Sequence, residues 1–377
     1  MKILQVNPFP PEHLGGSEIF CKNLAINLKR EKNIYSEILT SNIFKRDVKT
    51  DYIDEDIKII YKKCYYNLGG INPLVNIYSF IKRSYQKYDL IHAHSYIFLT
   101  SLQLALLKRV RNFPLILHIH GGIQTPTSLS SNLLEYIQIV LKTNVYDKIF
   151  GKFMINKADA IISVSNKDLA YIKRLFDISE KKTFYIPNAV DINKFKRNDT
   201  LEKKYITFIG RLTYIKGIDI FLKIIEKLYK KNNNLEFLII GNGQLKPLVE
   251  VARKKLPITH LDSFPYDKIE KIYNISKVIM ITSRFEGVPT TILESLACQT
   301  PVIASNVGGI SEIIRPYENG FLFKIDQYQN YINTFLNIIK DDNLLSNLGK
   351  NGCELIKKKY SWSKITEQIK GVYDQIL

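Results

Sequence analysis

The sequence predicts an α/β protein made of two open, mostly parallel α/β domains facing each other across a deep cleft. Three observations carry this. The chain has 377 residues, against about 100 to 200 per ordinary domain. Short apolar runs alternate with longer amphipathic ones almost throughout, the pattern of repeated βα units. A polar, strongly charged stretch, Asn193 to Lys204, divides the run in two.

In the first half the strands are expected at Lys2–Val6, Glu37–Thr40, Ile57–Ile60, Asp89–Ala93, Leu115–Ile119, Ala160–Val164 and Thr183–Ile186. In the second half they are expected at Tyr205–Ile209, Glu236–Ile240, Ile258–Leu261, Val278–Ile281, Pro301–Ala304 and Phe321–Phe323. Helical spacing fills the intervals, as in Ile19, Phe20, Leu24 and Leu28. The domains are expected at 1–192 and 193–360, with a last helix at 361–377 returning to the first domain. Ser361 is a plausible N-cap for that helix.

Composition bounds the class. Hydrophobic residues make up 45 % and charged residues 24 %, the balance of a folded soluble protein. No apolar run approaches the roughly 20 residues that span a bilayer, and the N-terminus turns polar too soon for a signal peptide. The cysteines Cys21, Cys64, Cys298 and Cys353 show no metal or redox spacing, so reduced thiols in a cytoplasmic protein are expected. Lys and Arg number 54 against 36 Asp and Glu, a net charge of +18. That excess favours anionic partners or reflects a generally basic surface. No zinc finger, basic zipper or RNA-recognition motif is present, which argues against nucleic acid.

Ligands of open parallel sheets bind beyond the carboxyl ends of the strands, so the loops there hold the candidates. After the first strand, Gly15 and Gly16 precede a helix, where backbone N–H groups can approach a phosphate; taken alone, a plain turn explains them better. His118 and His120 share one face of the fifth strand, and His120 ends it. His92 and His94 end the fourth. No sequential ligand spacing makes a metal site of them, and no metal is expected.

Beyond Tyr205–Ile209 stand Gly210, Arg211, Lys216 and Gly217. Two cations beside a helix N-terminus suit a diphosphate; an exposed basic loop is the alternative. The stretch Ser283 to Ala297 is the most specific. Glu286 sits in the loop before a helix, Pro289 suits its first turn, and Glu294 lies inside it. The N–H groups from Gly287 through Val288, Pro289's neighbour Thr290 and Thr291 are expected free for phosphate oxygens. A buried Glu294 needs partners, for which a ribose diol would serve.

These pieces, in this order, resemble the family 4 glycosyltransferases, retaining enzymes of the GT-B fold. The match rests on Gly15-Gly16, Asp89 to His94, His120-Gly121, Pro187 to Asp191, Gly210-Arg211, Lys216-Gly217, and Glu286 with Glu294. It is strong from Tyr205 to Glu312. Ala189 departs from it, standing where the family commonly has glycine. The resemblance implies two Rossmann-like domains, the first for the acceptor and the second for the donor. It implies that Arg211 and Lys216 grip the donor diphosphate and that Glu294 holds the ribose. Glu286 and the Gly287 amide would hold sugar and diphosphate, Gly16 would close over the phosphates, and His120 would sit beside the anomeric carbon. The implied donor is a UDP- or GDP-sugar, used as co-substrate without cofactor or metal. The implied acceptor is a saccharide or a lipid-linked saccharide in surface polysaccharide or glycolipid synthesis. An epimerase or a phosphorylase on the same fold, or a binding protein that has lost turnover, are the rival readings; a phosphorylase needs a lysine-bound pyridoxal phosphate and a much longer chain, and the complete set of donor residues argues against the binding protein.

Many such enzymes work at the inner face of a membrane. The segment Leu133–Phe153 has apolar residues at helical spacing, with Lys142, Lys148 and Lys152 among them. Such a helix can lie on an anionic membrane surface or pack on its own domain.

Overall fold

The structure, a computed structural model, describes the chain except residues 14, 46, 54–55, 69–71, 122 and 124–132. It divides into two units. The first comprises Met1–Asn188 and Trp362–Leu377, the second Ala189–Ser361.

The first unit holds β1 (Lys2–Val6), β2 (Tyr35–Ser41), β3 (Thr50–Ile53), β4 (Ile57–Lys62), β5 (Cys64–Leu68), β6 (Asn72–Val75), β7 (Leu90–His94), β8 (Leu115–Ile119), β9 (Ala160–Ser163) and β10 (Thr183–Tyr185). Eight of these form one sheet in the order β10-β9-β8-β7-β1-β2-β4-β3. Only β3 in it runs antiparallel, against β4. β5 and β6 pair as a separate antiparallel ribbon. The central strands are apolar on both faces because helices cover both faces: every residue of β7 and β8 is buried.

The second unit holds β11 (Tyr205–Ile209), β12 (Glu236–Ile240), β13 (Ile258–Leu261), β14 (Ser276–Ile281), β15 (Val302–Ser305) and β16 (Gly320–Phe323). They form a parallel sheet in the order β13-β12-β11-β14-β15-β16. Helix Ile218–Lys231 follows β11. Its Phe221, Ile224, Ile225 and Leu228 repeat at helical spacing and pack with Phe208, Phe237 and Ile239 in one core.

All thirteen expected strands are present, within two residues at either end. The strands the pattern does not announce are β3, β5 and β6. They are short antiparallel edges of mixed polar and aromatic residues, without the buried apolar run that marks a central strand.

The domain boundary differs from the expected one at 192/193. It falls between Asn188 and Ala189, because residues 189–204 are built into the second unit. The Val190 N–H donates to the Tyr360 carbonyl at 2.9 Å. Phe195 is buried beside Tyr266 and Tyr273. The Lys203 ammonium donates to the Thr300 hydroxyl at 2.8 Å. A charged stretch read as a linker is thus anchored by the apolar residue and the buried lysine within it.

The last helix, Trp362–Ile376, packs in the first unit. Trp362, Ile365, Ile369, Val372 and Tyr373 are buried. Trp362 meets Phe20 with ring centroids 5.2 Å apart, and the Tyr373 hydroxyl lies 2.7 Å from His92 Nδ1. The four cysteines are unpaired. Among the described residues no helix is long and apolar enough to cross a membrane.

The segment 133–157 is helical but not uniformly so. Two α-helical pieces, Leu133–Leu141 and Lys152–Lys157, flank a π-helical run, Lys142–Gly151. π-Winding brings residues five apart onto one face. Here it brings the Lys142 ammonium to 2.9 Å from buried Asp147, whose other oxygen accepts from the Tyr96 hydroxyl at 2.9 Å. Ile137, Leu141, Val145, Ile149 and Phe150 are exposed, so these apolar residues do not pack on their own domain.

Burying each of the five large side chains of helix Trp362–Ile376 is worth roughly 1.5 to 3 kcal/mol. Together they rival the 5–15 kcal/mol of a whole domain. Deleting residues 362–377 is therefore expected to abolish the cooperative calorimetric unfolding of the first unit while that of the second unit persists.

Candidate functional site

The order of strands reverses between β11 and β14 in the second unit, and between β1 and β7 in the first. Such reversals open a crevice at the carboxyl ends of the strands. The strongest candidates of the sequence lie in the loops after these strands.

After β11 the chain runs Gly210 to Gly217 and enters helix Ile218–Lys231. Gly217 is its N-cap, at φ 69°. A Cβ at Gly217 would stand 1.8 Å from the Thr282 carbonyl oxygen. Both the left-handed backbone and the close approach require glycine. The Thr282 hydroxyl donates to the Gly217 carbonyl at 2.7 Å. The loop after β11 is thereby clamped to the loop after β14.

The clamp brings Lys216 to Glu286, with Nζ 2.6 Å from Oε1. The Ser283 hydroxyl donates to the same oxygen at 2.7 Å. A second clamp lies beside it. Arg284 makes two 2.7 Å bonds to the Asp219 carboxylate and sits 3.7 Å from the centre of the Tyr214 ring. Its bidentate geometry ties the two loops with little side-chain freedom. Sequence reasoning passed over Arg284, although it adjoins Phe285-Glu286. Arg211 is exposed, and its side chain has no hydrogen-bond or ion-pair partner among the described residues.

Gly308, at φ 54°, closes the far side of this loop. A Cβ there would meet the Glu286 carbonyl oxygen at 1.9 Å, and the Gly309 N–H donates to the Gly287 carbonyl at 2.9 Å. Pro289 is the N-cap of helix Thr290–Ala297, one position earlier than the expected first turn. Val288 is buried beneath the loop. The first-turn N–H groups of Thr290 and Thr291 have no carbonyl partner among the described residues, as the start of a helix requires.

Glu294 is buried, and its partners differ from the sequence expectation. Its two oxygens accept from the hydroxyls of Tyr266, at 3.0 Å, and Tyr273, at 2.5 Å. Burial pushes its carboxyl up from the ordinary range, against the pull of the two tyrosines and Lys194. Lys194 stacks over the Tyr266 ring at 3.9 Å. Within the protein, two tyrosine hydroxyls thus satisfy Glu294. Tyr266 is half-exposed in the short turn Tyr266–Lys268, while Tyr273 is fixed in helix Glu270–Ile275.

In the first unit, Gly15 caps helix Gly16–Lys32 with extended backbone, φ −77°. Gly16 faces open space: a Cβ there meets nothing within 4 Å. A Cβ at Gly15 would meet the Glu18 carboxylate instead. That carboxylate already complements the positive helix end, which the glycine pair alone does not reveal.

His92, His94, His118 and His120 form a stacked two-by-two array on β7, β8 and the residue after β8. Neighbouring rings stand 4.3 to 5.3 Å apart. Hydrogen bonds link them in two ranks. His94 Nε2 lies 2.9 Å from Gln5 Oε1 and donates to it. His94 Nδ1 then accepts from His120 Nε2–H at 2.8 Å. On the other rank the Tyr373 hydroxyl lies 2.7 Å from His92 Nδ1, and His92 Nε2 lies 3.2 Å from His118 Nδ1. His120 Nδ1 is left with its lone pair. It has no partner at bonding distance, though Asn188 stands near enough to act on the ring.

The ring nitrogens of His92, His94 and His118 lie within 4.8 Å of one another, close enough for a metal. Five of the six ring nitrogens are bonded, to one another, to His120, to Gln5 or to Tyr373, and His118 Nε2 has no partner among the described residues; the rings lie in near-parallel planes rather than converging on a tetrahedral centre. Gly121 follows His120 at φ 96°; Gly122 lies outside the described residues.

With this geometry in place, the comparisons with known proteins are informative. The sequence pattern described as Glycosyltransferase Family 4 matches residues 14–194, and that of Glycosyl transferases group 1 matches residues 190–355. The chain belongs to the family 4 glycosyltransferases. This glycosyltransferase is 28 % identical to an uncharacterized glycosyltransferase of Methanocaldococcus jannaschii over 100 % of this chain and 99 % of that one. It is 24 % identical to the Escherichia coli UDP-Gal:alpha-D-GlcNAc-diphosphoundecaprenol alpha-1,3-galactosyltransferase, over 86 % of this chain and 85 % of that one. The crystal structure of HepE from Anabaena in complex with UDP-glucose superposes with a TM-score of 0.74 at 19 % identity, over 100 % of both chains. The fold is that of the GT-B glycosyltransferases.

The histidine array makes the enzyme acid-sensitive. Burial pushes His92 and His120 down to about 3, and His94 and His118 well below the usual 6.5. The folded state holds them neutral, whereas the unfolded chain takes up protons below pH 6.5. Their stabilisation is complete above 6.5 and is lost as pH falls toward 3. Each costs up to about 1.4 kcal/mol per pH unit. Denaturant unfolding of the first unit between pH 7.5 and 5 should show this loss, and His118→Phe should reduce the slope.

Proposed function

We propose that this glycosyltransferase moves a sugar, with retention of configuration, from a UDP- or GDP-sugar to a saccharide or lipid-linked saccharide acceptor in surface polysaccharide or glycolipid assembly. The observation that carries the donor half is the Lys216–Glu286 pair clamped at the strand reversal of the second unit, with Arg211 unpaired beside it. UDP-sugar and lipid-linked acceptor are supported by the name of the E. coli relative, and UDP-glucose by the HepE complex.

The chemistry follows from these groups. Breaking the bond from the anomeric carbon to the diphosphate oxygen leaves the electron pair on that oxygen. Arg211 and Lys216 meet the developing charge, as do the first-turn amides of Thr290 and Thr291, by preorganised attraction. Two cations at that point, Lys216 held by Glu286 and Arg211 exposed, would supply the positive charge that a metal otherwise brings. Binding the diphosphate draws Lys216 from Glu286, and the freed carboxylate accepts hydrogen bonds from hydroxyls of the transferred sugar. At Glu294 a ribose diol takes the place of the half-exposed Tyr266, while Tyr273 keeps its bond. The acceptor hydroxyl attacks on the face the diphosphate leaves, and its proton passes to the departing phosphate oxygen. On the first unit, His120 presents Nδ1 as an acceptor for a sugar hydroxyl.

A thermal-shift screen with nucleoside diphosphates and their sugars tests the donor half. One nucleotide is expected to raise the melting temperature by mass action, and Glu294→Ala or Arg211→Ala to abolish the rise. No rise with any of them overturns the assignment. The anomeric configuration of the product, read by proton NMR, tests retention, and EDTA is expected to leave the rate unchanged. A trapped glycosyl-enzyme adduct in mass spectra would overturn same-face attack.

The exposed Ile137, Leu141, Val145, Ile149 and Phe150, interleaved with exposed Lys148 and Lys152, support attachment to the anionic inner face of the cytoplasmic membrane. Sedimentation with vesicles is expected to recover several-fold more enzyme when anionic lipid is present. Ile149→Ser with Leu141→Ser should remove the difference; equal recovery with neutral vesicles counts against attachment.

A further inference from the structure

The donor chemistry leaves one feature of the first unit unused. Beside the carboxyl ends of β2 and β4 lies a groove of about 1110 Å³. Among its described lining residues are four lysines and one carboxylate, Asp47. Lys62, which ends β4, is half-buried with its ammonium 4.2 Å from the centre of the Phe80 ring. Among the described residues it has no carboxylate partner; its charged neighbour is Arg83, and that like charge adds to burial in holding Lys62 below the usual lysine range. Lys63 and Lys49 have no carboxylate partner among the described residues either. A half-buried cation without a counter-ion is an uncompensated cost in the free protein.

Aromatic and amide groups line the rest. Tyr65 and Tyr66 are 62 % and 63 % exposed. Tyrosine faces of this kind offer an apolar ring with a polar tip, suited to the C–H face and hydroxyl rim of a sugar. Asn67 Oδ1 is buried without a hydrogen-bond partner and lines the same groove. It is an acceptor awaiting a hydroxyl.

Position ties the groove to the reaction. β4 is two strands from β1 in the sheet, about 10 Å at the usual strand spacing. The β1 loop is joined to the groove wall, since the Tyr61 hydroxyl donates to Glu12 at 3.0 Å and Lys45 bridges Glu12 and Asp51 at 2.7 Å.

We propose that this groove is an acceptor subsite for a saccharide carrying an anionic group, a carboxylate or a phosphate, held by Lys62 and Lys63 while Tyr65 and Tyr66 carry the sugar ring. It deepens the reading of the enzyme as a saccharide-modifying transferase and names the chemistry of its acceptor. The +18 net charge, which the donor site does not need in full, acquires a use.

Calorimetric titration of the whole enzyme with trigalacturonate and with its neutral counterpart, trigalactose, tests this. The acidic probe is expected to bind at least tenfold more tightly, with the advantage shrinking as salt rises. Lys62→Met with Lys63→Gln should erase the advantage, the methionine keeping the apolar stem over Phe80. Tyr65→Ala with Tyr66→Ala should weaken both probes. Geranyl diphosphate is the second arm. Displacement of trigalacturonate by it assigns the anion to the phosphate of a lipid linkage, and no displacement assigns it to the glycan itself. Equal affinity for the two saccharides, no binding of either, or binding indifferent to the lysine variant overturns the proposal. The nucleotide thermal shift, measured on the same variants, is expected to be unchanged. It reports folding and the donor site separately, so failure there leaves the groove result standing.

Discussion

The donor half of this enzyme depends on one close approach, the Cα of Gly217 against the carbonyl of Thr282. Nothing larger than hydrogen can sit there. Because it holds, the N-terminus of helix Ile218–Lys231 meets the loop after β14, and two loops separated by some seventy residues of chain become one surface. Lys216 and Glu286 pair across it, Arg284 and Asp219 pair beside it, and Gly308 braces the far edge by the same device. Electrostatic preorganisation is only as good as the rigidity of the groups that supply it. Here that rigidity comes from backbone contact rather than from long side chains.

The first unit is organised differently. Its central strands place four imidazoles in a stacked array, and Tyr373 and Gln5 each end one of its two ranks, beside His92 and His94. The last helix of the chain supplies that tyrosine, Tyr373. Residues at the far end of the sequence therefore help set the hydrogen bonding of His92 and His118. Burial of the array keeps the rings neutral and is the cause of its expected acid sensitivity.

The parallel strands were legible because strands buried on both faces are continuous apolar runs, and the site loops because they end such runs. Glu286, Lys216 and Arg211 could be placed for that reason. The antiparallel edges β3, β5 and β6 carry no such signal; Tyr65, Tyr66 and Asn67 look like loop residues until the ribbon is seen. The partners of Glu294 were hidden too. Tyr266 and Tyr273 come from a turn and a helix more than twenty positions away, and no local spacing relates them. The boundary at Asn188 was obscured because the charged run after it contains Phe195 and Lys203, whose burial depends on residues distant in sequence.

The π-helical run Lys142–Gly151 has a consequence for how this segment can vary. Its wider turn absorbs more residues over the same rise than the α-helices on either side. The Lys142–Asp147 pair is its internal fastener. Ile149 and Phe150 lie beyond that fastener and Ile137 and Leu141 before it, so the azimuth of the later pair relative to the earlier is set by the winding between them. Length change in this stretch is thus converted into rotation: losing one residue would rewind the run toward α-helix and swing one half of the apolar stripe around the axis relative to the other. The lysine–aspartate contact acts as the phase reference of the outer surface.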